Sequence, residues 1–197
     1  MRYGAEHKQQ TRERVLKEAA RAIRVSGPHQ VGVAEVMAKA GLTHGGFYAH
    51  FKSREDLVAA AVGQMFEDSR AALDLTAKDQ SPAGALNAYL DFYLSARHRD
   101  SRSSGCPLPY LAADAPRLAE PVRERFARGV EGLRASLATR LAAHGIDQSD
   151  REAASMLAEL VGALSLARAE PDPTLSDTIL ATSKTAIRRR YNLETAS

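Results

Sequence analysis

The chain has 197 residues, of which 44% are hydrophobic, and a formal net charge of +3 at pH 7. This composition suits one large or two small packed domains and excludes wholesale disorder. The sequence contains no apolar run of the roughly 18 residues that a membrane span needs. Its first residues also lack the apolar stretch of a signal peptide. We therefore expect a cytoplasmic protein that does not associate with a membrane.

The positive charge is concentrated near the N-terminus. Residues 1–56 contain ten Lys and Arg against six Asp and Glu, whereas residues 57–197 contain seventeen against eighteen. Four of the six histidines also lie in the first segment. A small basic segment on a neutral body is typical of a protein that binds a polyanion. A solvated basic surface would give the same pattern, so charge alone does not decide between them.

The N-terminal segment has the pattern of a helix-turn-helix. Apolar residues at helical spacing predict three successive helices, at about residues 8–26, 33–40 and 44–51. Gly27 and Pro28 end the first helix, and Gly41 breaks the chain where a left-handed backbone costs glycine least. Thr43 is a suitable N-cap for the third helix. Two short helices joined by a tight turn indicate a DNA-binding domain, which we assign to residues 1–52.

The remainder of the chain is also predicted to be helical. Further helices are expected at about residues 53–75, 81–97, 149–169 and 175–191, with a loop at 98–109 followed by a short helix around Tyr110. Another long helix is expected to begin at about Pro116 or Pro121 and to end at His144. The tail from Asn192 to Ser197 is expected to fray. No stretch predicts a strand. The sequence therefore predicts an all-α protein with a second helical domain over residues 53–197.

The third helix separates a buried side from a side that could contact DNA. Phe47 and Phe51 lie four residues apart and are expected to hold the helix against the domain. Two adjacent glycines could each weaken this helix by about 1 kcal/mol, but they let the backbone approach a duplex closely. Polar side chains on the opposite side could donate to base edges, and basic residues after the helix could contact phosphates. The residues predicted to contact DNA here are His44, Gly45, Gly46, Tyr48, His50, Lys52 and Arg54.

Residues 11–57 resemble the DNA-binding domain of the TetR/AcrR family. The resemblance rests on Thr11 and Arg12 at the first helix, on the turn Ala40-Gly41-Leu42-Thr43, and on the run FYAHFKSREDL at residues 47–57. It places Thr11, Arg12 and Thr43 among the DNA-binding residues. The sequence departs from the family pattern at His44, where Lys is common, and at Gly46, where Ser or Thr is common.

The resemblance implies a function for the whole chain. Members of this family are expected to bind a palindromic operator in double-stranded DNA as homodimers and to release it when a small-molecule effector binds. Residues 53–197 would then form the effector-binding and dimerisation domain. A repressor is favoured over an activator, because no segment resembles one that contacts RNA polymerase. The sequence does not identify the effector.

Two apolar sets in the second domain are candidates for these roles. Stripes on the last two helices could pair across a two-fold axis, although they could equally be intrachain core. The predicted dimer residues are Leu157, Leu160, Val161, Leu164, Ile179 and Ile187. Aromatic and soft side chains could line an effector pocket, although at helical spacing they are more often core. The predicted pocket residues are Phe66, Tyr89, Phe92, Tyr93, Cys106, Tyr110, Phe126 and Met156.

The only cysteine, Cys106, suggests an alternative sensor. It lies in the loop at residues 98–109, near His98, Arg99 and Arg102, and positive neighbours lower the pKa of a thiol and raise its reactivity. A repressor that senses oxidants or electrophiles through Cys106 is therefore an alternative to one with a reversible ligand. A half-buried, inert cysteine is the plainer interpretation.

An enzymatic function is not indicated. The sequence contains no GxGxxG, P-loop, HExxH or GxSxG motif. His98 and Cys106 are eight residues apart in a predicted loop, which is not a signature of a nucleophile and its base. The histidines are not spaced for a metal site. We predict no catalytic residue, metal or cofactor, and we regard an architectural DNA-binding protein without an effector as the other alternative.

Overall fold

The computed structural model describes the backbone of residues 2–193 and the side chains of residues 6–193. Within this range the chain is helical and contains no strand, which confirms the predicted all-α class. The α-helices are α1 (Arg2–Ser26), α2 (Val33–Lys39), α3 (Arg54–Ala77), α4 (Pro82–Tyr93), α5 (Ala96–Asp100), α6 (Leu108–Leu111), α7 (Glu120–Ala143), α8 (Ser149–Ala169) and α9 (Pro173–Arg190). Short 3₁₀ helices lie at Pro28–Gln30, His44–Ala49 and Ala115–Arg117. No helix of this range is both long and apolar enough to cross a membrane.

The N-terminal helices pack around the apolar face of α1. Val15, Ala19 and Ile23 are fully buried there, at the helical spacing expected from the sequence. Gly41 follows α2 with a φ of 75°, in the left-handed region, as its place at the turn predicted. The third predicted helix differs from expectation because His44–Ala49 forms a 3₁₀ helix rather than an α-helix. Its two consecutive glycines explain the difference, since glycine stabilises an α-helix poorly.

The long helix α3 joins the two halves of the chain. It begins after Ser53, whose hydroxyl accepts a hydrogen bond from the Asp56 backbone N–H at 3.1 Å. Its buried face packs against α1, α4 and α7. The rings of Phe66 on α3 and Phe126 on α7 meet edge to face with centroids 5.5 Å apart. The predicted boundary between residues 52 and 53 therefore coincides with the start of a helix that contacts both halves.

The middle of the chain differs from the predicted layout. The helix expected over residues 81–97 is interrupted, and α4 and α5 are separate helices. Ser95 lies between them and caps α5, because its hydroxyl accepts from the His98 backbone N–H at 3.1 Å. The loop predicted from residue 98 therefore begins after Asp100. Helices α7, α8 and α9 lie close to their predicted positions.

Leu193 is more ordered than expected. It is buried, and its carbonyl oxygen accepts a hydrogen bond of 2.6 Å from the Asn87 side-chain amide on α4. The prediction of a frayed tail is therefore wrong for Leu193, because this residue packs against α4. The rest of that predicted tail, residues 194–197, lies outside the described residues.

Candidate DNA-binding surface and ligand cavity

The 3₁₀ helix at His44–Ala49 has one buried and one exposed side. Phe47 is buried, and its ring stacks on that of Phe51 with centroids 5.7 Å apart. Tyr48 contacts the edge of Phe47 but is 72% exposed, which is unusual for a large aromatic side chain. His44, Gly45 and Lys52 are also exposed, whereas Gly46 is half-buried. The structure thus brings a solvent-facing tyrosine together with polar and basic neighbours on one surface.

The flanking residues of this surface are more constrained. The guanidinium of Arg12 lies over the ring of Phe51, 4.6 Å from its centroid. His50 is half-buried, and its Nδ1 has no hydrogen-bond partner among the described residues. Burial lowers the pKa of His50, and the positive charges of Lys8 and Arg12 lower it further. His50 is therefore neutral at physiological pH.

Two of the predicted DNA-binding residues have structural partners. Arg54 donates hydrogen bonds to the carbonyl oxygens of Pro28 and His29 at 2.7 Å and of Val31 at 3.0 Å. Thr11 is buried, and its hydroxyl accepts a long hydrogen bond of 3.4 Å from Arg14. Neither side chain is a freely exposed donor in this structure, and the carbonyl partners of Arg54 could not be foreseen from sequence spacing.

A cavity of about 570 Å³ lies where the N-terminal helices meet the second half of the chain. Its volume is within the usual range for small-molecule sites. The walls come from α1, α3, α4 and α5 and from the loop after α5. The lining residues are Lys17, Glu18, Arg21, Arg24, Asp68, Ser69, Ala72, Tyr89, Phe92, Tyr93, His98, Ser103, Ser104, Gly105 and Cys106. A molecule bound here would touch both the helix-turn-helix half and the rest of the chain.

Aromatic rings form one part of the cavity wall. Tyr89 and Tyr93 are buried with ring centroids 5.6 Å apart, and Phe92 stacks on His98 at 5.4 Å with nearly parallel planes. The Nδ1 of His98 lies 2.9 Å from the Tyr93 carbonyl oxygen, and the Cys106 backbone N–H donates to its Nε2 at 3.3 Å. These two bonds require a neutral ring with the proton on Nδ1. Burial lowers the pKa of His98 and so favours that neutral form.

The environment of Cys106 differs from the one expected from the sequence. The residue lines the cavity and is buried, and burial raises the pKa of its thiol, an effect that Tyr93, Ser69 and Arg24 only partly offset. The expected lowering of the thiol pKa by loop arginines is therefore wrong. Arg99 instead pairs with Asp177 at 2.5 Å, so its charge is directed away from the thiol.

The cavity contains only part of the predicted pocket. Tyr89, Phe92, Tyr93 and Cys106 line it, whereas the other four candidates do not. Phe66 and Met156 are buried core residues, and Phe126 packs on Phe66 in the α3–α7 interface. Tyr110 contacts the guanidinium of Arg168, 4.3 Å from the ring centroid. Helical spacing could not distinguish rings that fill a core from rings that border a cavity.

The predicted dimer residues are mostly intrachain core. Leu157, Leu160, Leu164 and Ile187 are buried within the single chain, so the prediction that they face a partner is wrong. They fill the space that α8 and α9 enclose with the neighbouring helices. Val161 and Ile179 are half-buried and lie at the border of the exposed side. Both faces of α8 carry small or apolar residues, so periodicity alone could not separate them.

Arg24 is a site residue that was not predicted from the sequence. The residue is only 9% exposed, and its guanidinium donates two hydrogen bonds to the Gly105 carbonyl oxygen, from Nε at 3.1 Å and from Nη2 at 2.9 Å. One signal was available, because Arg24 follows Leu16 and Ala20 at intervals of four and so lies on the buried stripe of α1. Within residues 6–193, no cluster of three or more His, Cys, Asp or Glu could hold a metal ion.

Comparison with known families identifies both halves of the chain. Residues 15–61 match the family described as bacterial regulatory proteins, tetR family. Residues 82–179 match the C-terminal domain of LmrA/YxaF-like transcriptional regulators. The chain is 28% identical over 116 residues to the HTH-type transcriptional regulator LmrA of Bacillus subtilis, a match that covers 58% of this chain and 62% of LmrA. It therefore spans less than two thirds of that relative. The chain is also 28% identical over 177 residues to the HTH-type transcriptional regulator Rv0196 of Mycobacterium tuberculosis, covering 85% of this chain and 89% of the relative.

Solved structures give the same result for the fold. A TetR transcriptional regulator from Chloroflexus aurantiacus superposes with a TM-score of 0.78 at 28% identity, over 95% of this chain and 96% of that one. The reduced form of Escherichia coli NemR superposes with a TM-score of 0.80 at 21% identity, over 91% of this chain and 96% of that one. These matches extend over both halves of the described chain.

Proposed function

The chain belongs to the TetR family of bacterial transcriptional regulators, and from this membership we propose that it is a ligand-responsive repressor. In this proposal a homodimer binds a palindromic operator in the cytoplasm, and a small molecule in the cavity releases it. Proteins of this family are DNA-binding regulators rather than enzymes. The observation that carries the proposal is the exposed Tyr48, held on a short helix whose other side is fixed by Phe47 and Phe51.

The proposed DNA contacts centre on the 3₁₀ helix at His44–Ala49. Tyr48 and His44 would face base edges in the major groove, and the backbone at Gly45 and Gly46 would approach the duplex closely. Lys52 would contact a phosphate, because its side chain is exposed beside this helix. Thr43, His50 and Arg12 border the same surface. The carbonyl partners of Arg54 and the burial of Thr11 favour a positioning role for these two residues.

The proposed dimer uses the exposed sides of α8 and α9 rather than the residues expected from the sequence. The exposed side of α8 carries Ala154, Ala158 and Leu166, the last 63% exposed, and that of α9 carries Leu175 and Ala186. These positions follow each other at helical spacing, so each helix presents a stripe of small and apolar residues. Two such pairs related by a two-fold axis would form a four-helix bundle.

The proposed release follows from the position of the cavity. Its wall includes α1 and α3, which carry the helix-turn-helix, and also α4 and α5. A ligand that prefers a different arrangement of these helices would change the spacing of the two DNA-binding halves in the dimer. A ligand can weaken DNA binding only by such a preference, and the coupling is typically about 1–3 kcal/mol.

The first test is direct. An operator is selected from random duplex DNA with the full-length protein, and its affinity is measured by fluorescence anisotropy. Tyr48→Ala should lower the operator affinity by about 1–3 kcal/mol without changing the melting temperature, because the side chain is exposed. Tyr48→Phe serves as the matched control that removes the hydroxyl alone. Failure to select any palindromic site, or an unchanged affinity of Tyr48→Ala, would reject the proposed DNA-binding mode.

A second candidate is a repressor that senses electrophiles through Cys106. The observation that favours it is the position of the thiol in the cavity wall next to Gly105, where a covalent adduct would occupy the ligand space. The raised pKa of the thiol argues against fast reaction as a thiolate. We therefore rank this candidate below reversible ligand binding.

A further inference from the structure

Arg24 brings a positive charge without an ion-pair partner into the cavity wall. The other charged side chains around the cavity, Lys17, Glu18, Arg21 and Asp68, are exposed or half-buried, whereas Arg24 is buried. The charge of Asp68 acts on Arg24, but within the described range no carboxylate lies within ion-pair distance of the guanidinium, and the bonds it makes both go to the Gly105 carbonyl oxygen. Buried charges in proteins are normally paired with an opposite charge. The free protein therefore lacks a directly bonded counter-charge at a place where a ligand could supply one.

A second polar group in the same cavity has only a weak partner. The hydroxyl of Tyr93 is buried in the cavity wall and has no hydrogen bond of good geometry to a described residue, and the Cys106 thiol with which it interacts is a weak hydrogen-bonding group. Burial raises the pKa of Tyr93, so the phenol stays protonated and can donate. A buried donor without a strong acceptor costs free energy, which a ligand oxygen would recover. The aromatic rings of Tyr89 and Phe92 line the same cavity.

We propose that the cavity binds a planar aromatic molecule with one negatively charged group, and that this group replaces the Gly105 carbonyl oxygen as the hydrogen-bond acceptor of Arg24. The anion would accept hydrogen bonds from the Arg24 guanidinium and the Tyr93 hydroxyl, while its rings pack against Tyr89 and Phe92. This inference rests on the proposed function, because it names the class of effector. An aromatic cation is the competing class, since Glu18 and Asp68 also border the cavity. The anion is favoured because Asp68 is exposed and already accepts from Gln64 at 2.9 Å.

The same arginine connects the cavity to the DNA-binding half. Arg24 lies in the last turn of α1, and Gly105 lies 81 residues later in the loop after α5. On its other side this loop region is held by Arg168 of α8, which donates to the carbonyl oxygens of His98 at 3.0 Å and Arg99 at 3.1 Å. The segment is thus tied to α1 at one end and to α8 at the other. An anion that competes for Arg24 would release the tie to α1 and leave the tie to α8 intact.

Gly105 itself is suited to this tie. Its φ is +93°, and a Cβ at this position would overlap the ring of His98. Any other residue would therefore be strained and would displace either the loop or the histidine. The carbonyl that faces Arg24 is held in place by this close packing, so the hydrogen bonds form without further ordering of the loop.

Binding measurements with three ligands of the same shape test the proposal. The full-length protein is titrated by calorimetry with 2-naphthoate, with the neutral 2-naphthamide and with the cationic 2-naphthylmethylamine. We expect naphthoate to bind about 10-fold or more tightly than the amide, and the amine to bind weakest, because only the anion compensates Arg24. Equal binding of acid and amide, tighter binding of the amine, or no binding of naphthoate at about 1 mM would each overturn the proposal.

Variants locate the effect at the proposed residues. Arg24→Met and Arg24→Lys should lower naphthoate affinity about 10-fold or more, and Tyr93→Phe by about 3-fold or more. The matched control is Arg21→Met, which removes an exposed arginine one turn earlier at the same cavity and should change affinity less than about 2-fold. Because Arg24 is buried, melting temperatures are measured for every variant. Tyr93→Phe removes a hydroxyl whose interaction in the free protein is a weak one with the Cys106 thiol, and so should fold normally. Unchanged naphthoate affinity in a folded Tyr93→Phe variant overturns the proposed anion site.

Operator release separates this inference from the proposed function. Naphthoate should weaken binding to the selected operator by about 5-fold or more in the wild-type protein and have no effect on Arg24→Met. If another compound releases the operator while the naphthyl series shows no preference for negative charge, the proposed function stands and this inference fails. If no operator exists but the charge preference and its loss in Arg24→Met are observed, the anion site stands and the repressor function fails.

Discussion

Arg54 Nη2 donates a hydrogen bond to the Pro28 carbonyl oxygen 2.7 Å away, and so connects the first turn of α3 to the segment between α1 and α2. The same guanidinium also donates hydrogen bonds to the carbonyl oxygens of His29 and Val31, so three hydrogen bonds make this connection. These carbonyls immediately precede α2, the first helix of the helix-turn-helix. Arg54 therefore sets the position of that motif relative to α3, which is a different task from contacting a phosphate.

This assignment predicts different effects for two neighbouring basic residues. Arg54→Ala should lower the free energy of unfolding by about 1–3 kcal/mol, because it leaves three carbonyls without their donor. Lys52→Ala should leave stability within about 0.5 kcal/mol and reduce the salt dependence of operator binding by about one unit. Urea denaturation and anisotropy titrations across salt concentrations measure the two quantities. An Arg54→Ala variant with wild-type stability and a reduced salt dependence of operator binding would show that Arg54 contacts a phosphate instead.

The proposed interface predicts which leucine controls dimer formation. Leu166→Glu should give a folded monomer, because the side chain is 63% exposed on the outer side of α8. Leu75→Glu is the matched control, since Leu75 is 73% exposed on α3 away from that interface, and it should stay dimeric. Leu164→Glu should unfold the protein instead, because it buries an unpaired charge. Light scattering measures the oligomeric state of each variant, and circular dichroism measures whether it is folded. A dimeric Leu166→Glu variant would place the interface elsewhere.

The buried thiol predicts slow chemistry at neutral pH. Burial raises the pKa of Cys106, so alkylation of the native protein by iodoacetamide at about pH 7.5 should be at least about 10-fold slower than in urea. The rate should rise as the pH increases, because the thiolate is the reacting species. Mass spectrometry follows the single adduct, and Cys106→Ser provides the unreactive control. Alkylation of the native protein as fast as in urea would contradict this prediction and favour the electrophile sensor. Loss of operator binding by the alkylated protein would then establish that function.

Neutral His98 predicts a loss of stability in mild acid. Burial depresses the pKa of His98 in the folded protein below its ordinary value of 6.5. When the pH falls below 6.5, the unfolded chain takes up a proton on His98 before the folded protein does. The stability that His98 contributes above pH 6.5 is therefore lost progressively as the pH approaches the lowered pKa of the folded state. His50 contributes with the same sign, because its pKa is also lowered by burial. Urea midpoints measured between about pH 5 and 8 should therefore fall on the acid side.

A variant isolates the contribution of His98. His98→Gln should be less stable than wild type at neutral pH, because the bonds to the Tyr93 carbonyl and the Cys106 backbone N–H are lost or weakened. Its stability should also depend less on pH over the same range, since the titrating ring is gone. An equally steep acid loss in His98→Gln would assign the effect to His50 or to another group.

Sequence patterns were sufficient where one physical rule dominated. The stripe on α1 and the left-handed Gly41 each follow from a local requirement of spacing or backbone conformation, and the structure contains both. The helix-turn-helix and the family could be recognised from the same residues. Most of the helix boundaries in the second half also followed from apolar spacing and from the prolines and glycines between helices.

Tertiary contacts decided the features that the sequence could not predict. Leu160 and Leu164 lie on a stripe that would suit either a core or a dimer interface, and only the packing of α8 shows which. The pKa of Cys106 depends on burial, which reverses the effect expected from nearby arginines in the sequence. The bond between Arg24 and Gly105 joins residues 81 positions apart, a separation at which no local rule operates.

The 3₁₀ geometry of His44–Ala49 changes which side chains share a direction. Successive residues turn by about 120° in an ideal 3₁₀ helix and by about 100° in an α-helix. His44 and Tyr48 are therefore separated by roughly 120° around the axis in the first geometry and by roughly 40° in the second. The two side chains therefore diverge more in this structure than they would in an α-helix. Operator sequences that reward contact by the imidazole and the phenol at neighbouring bases would favour a rewinding of this segment, and discrimination among DNA sites would then depend on its helical pitch as well as on its side chains.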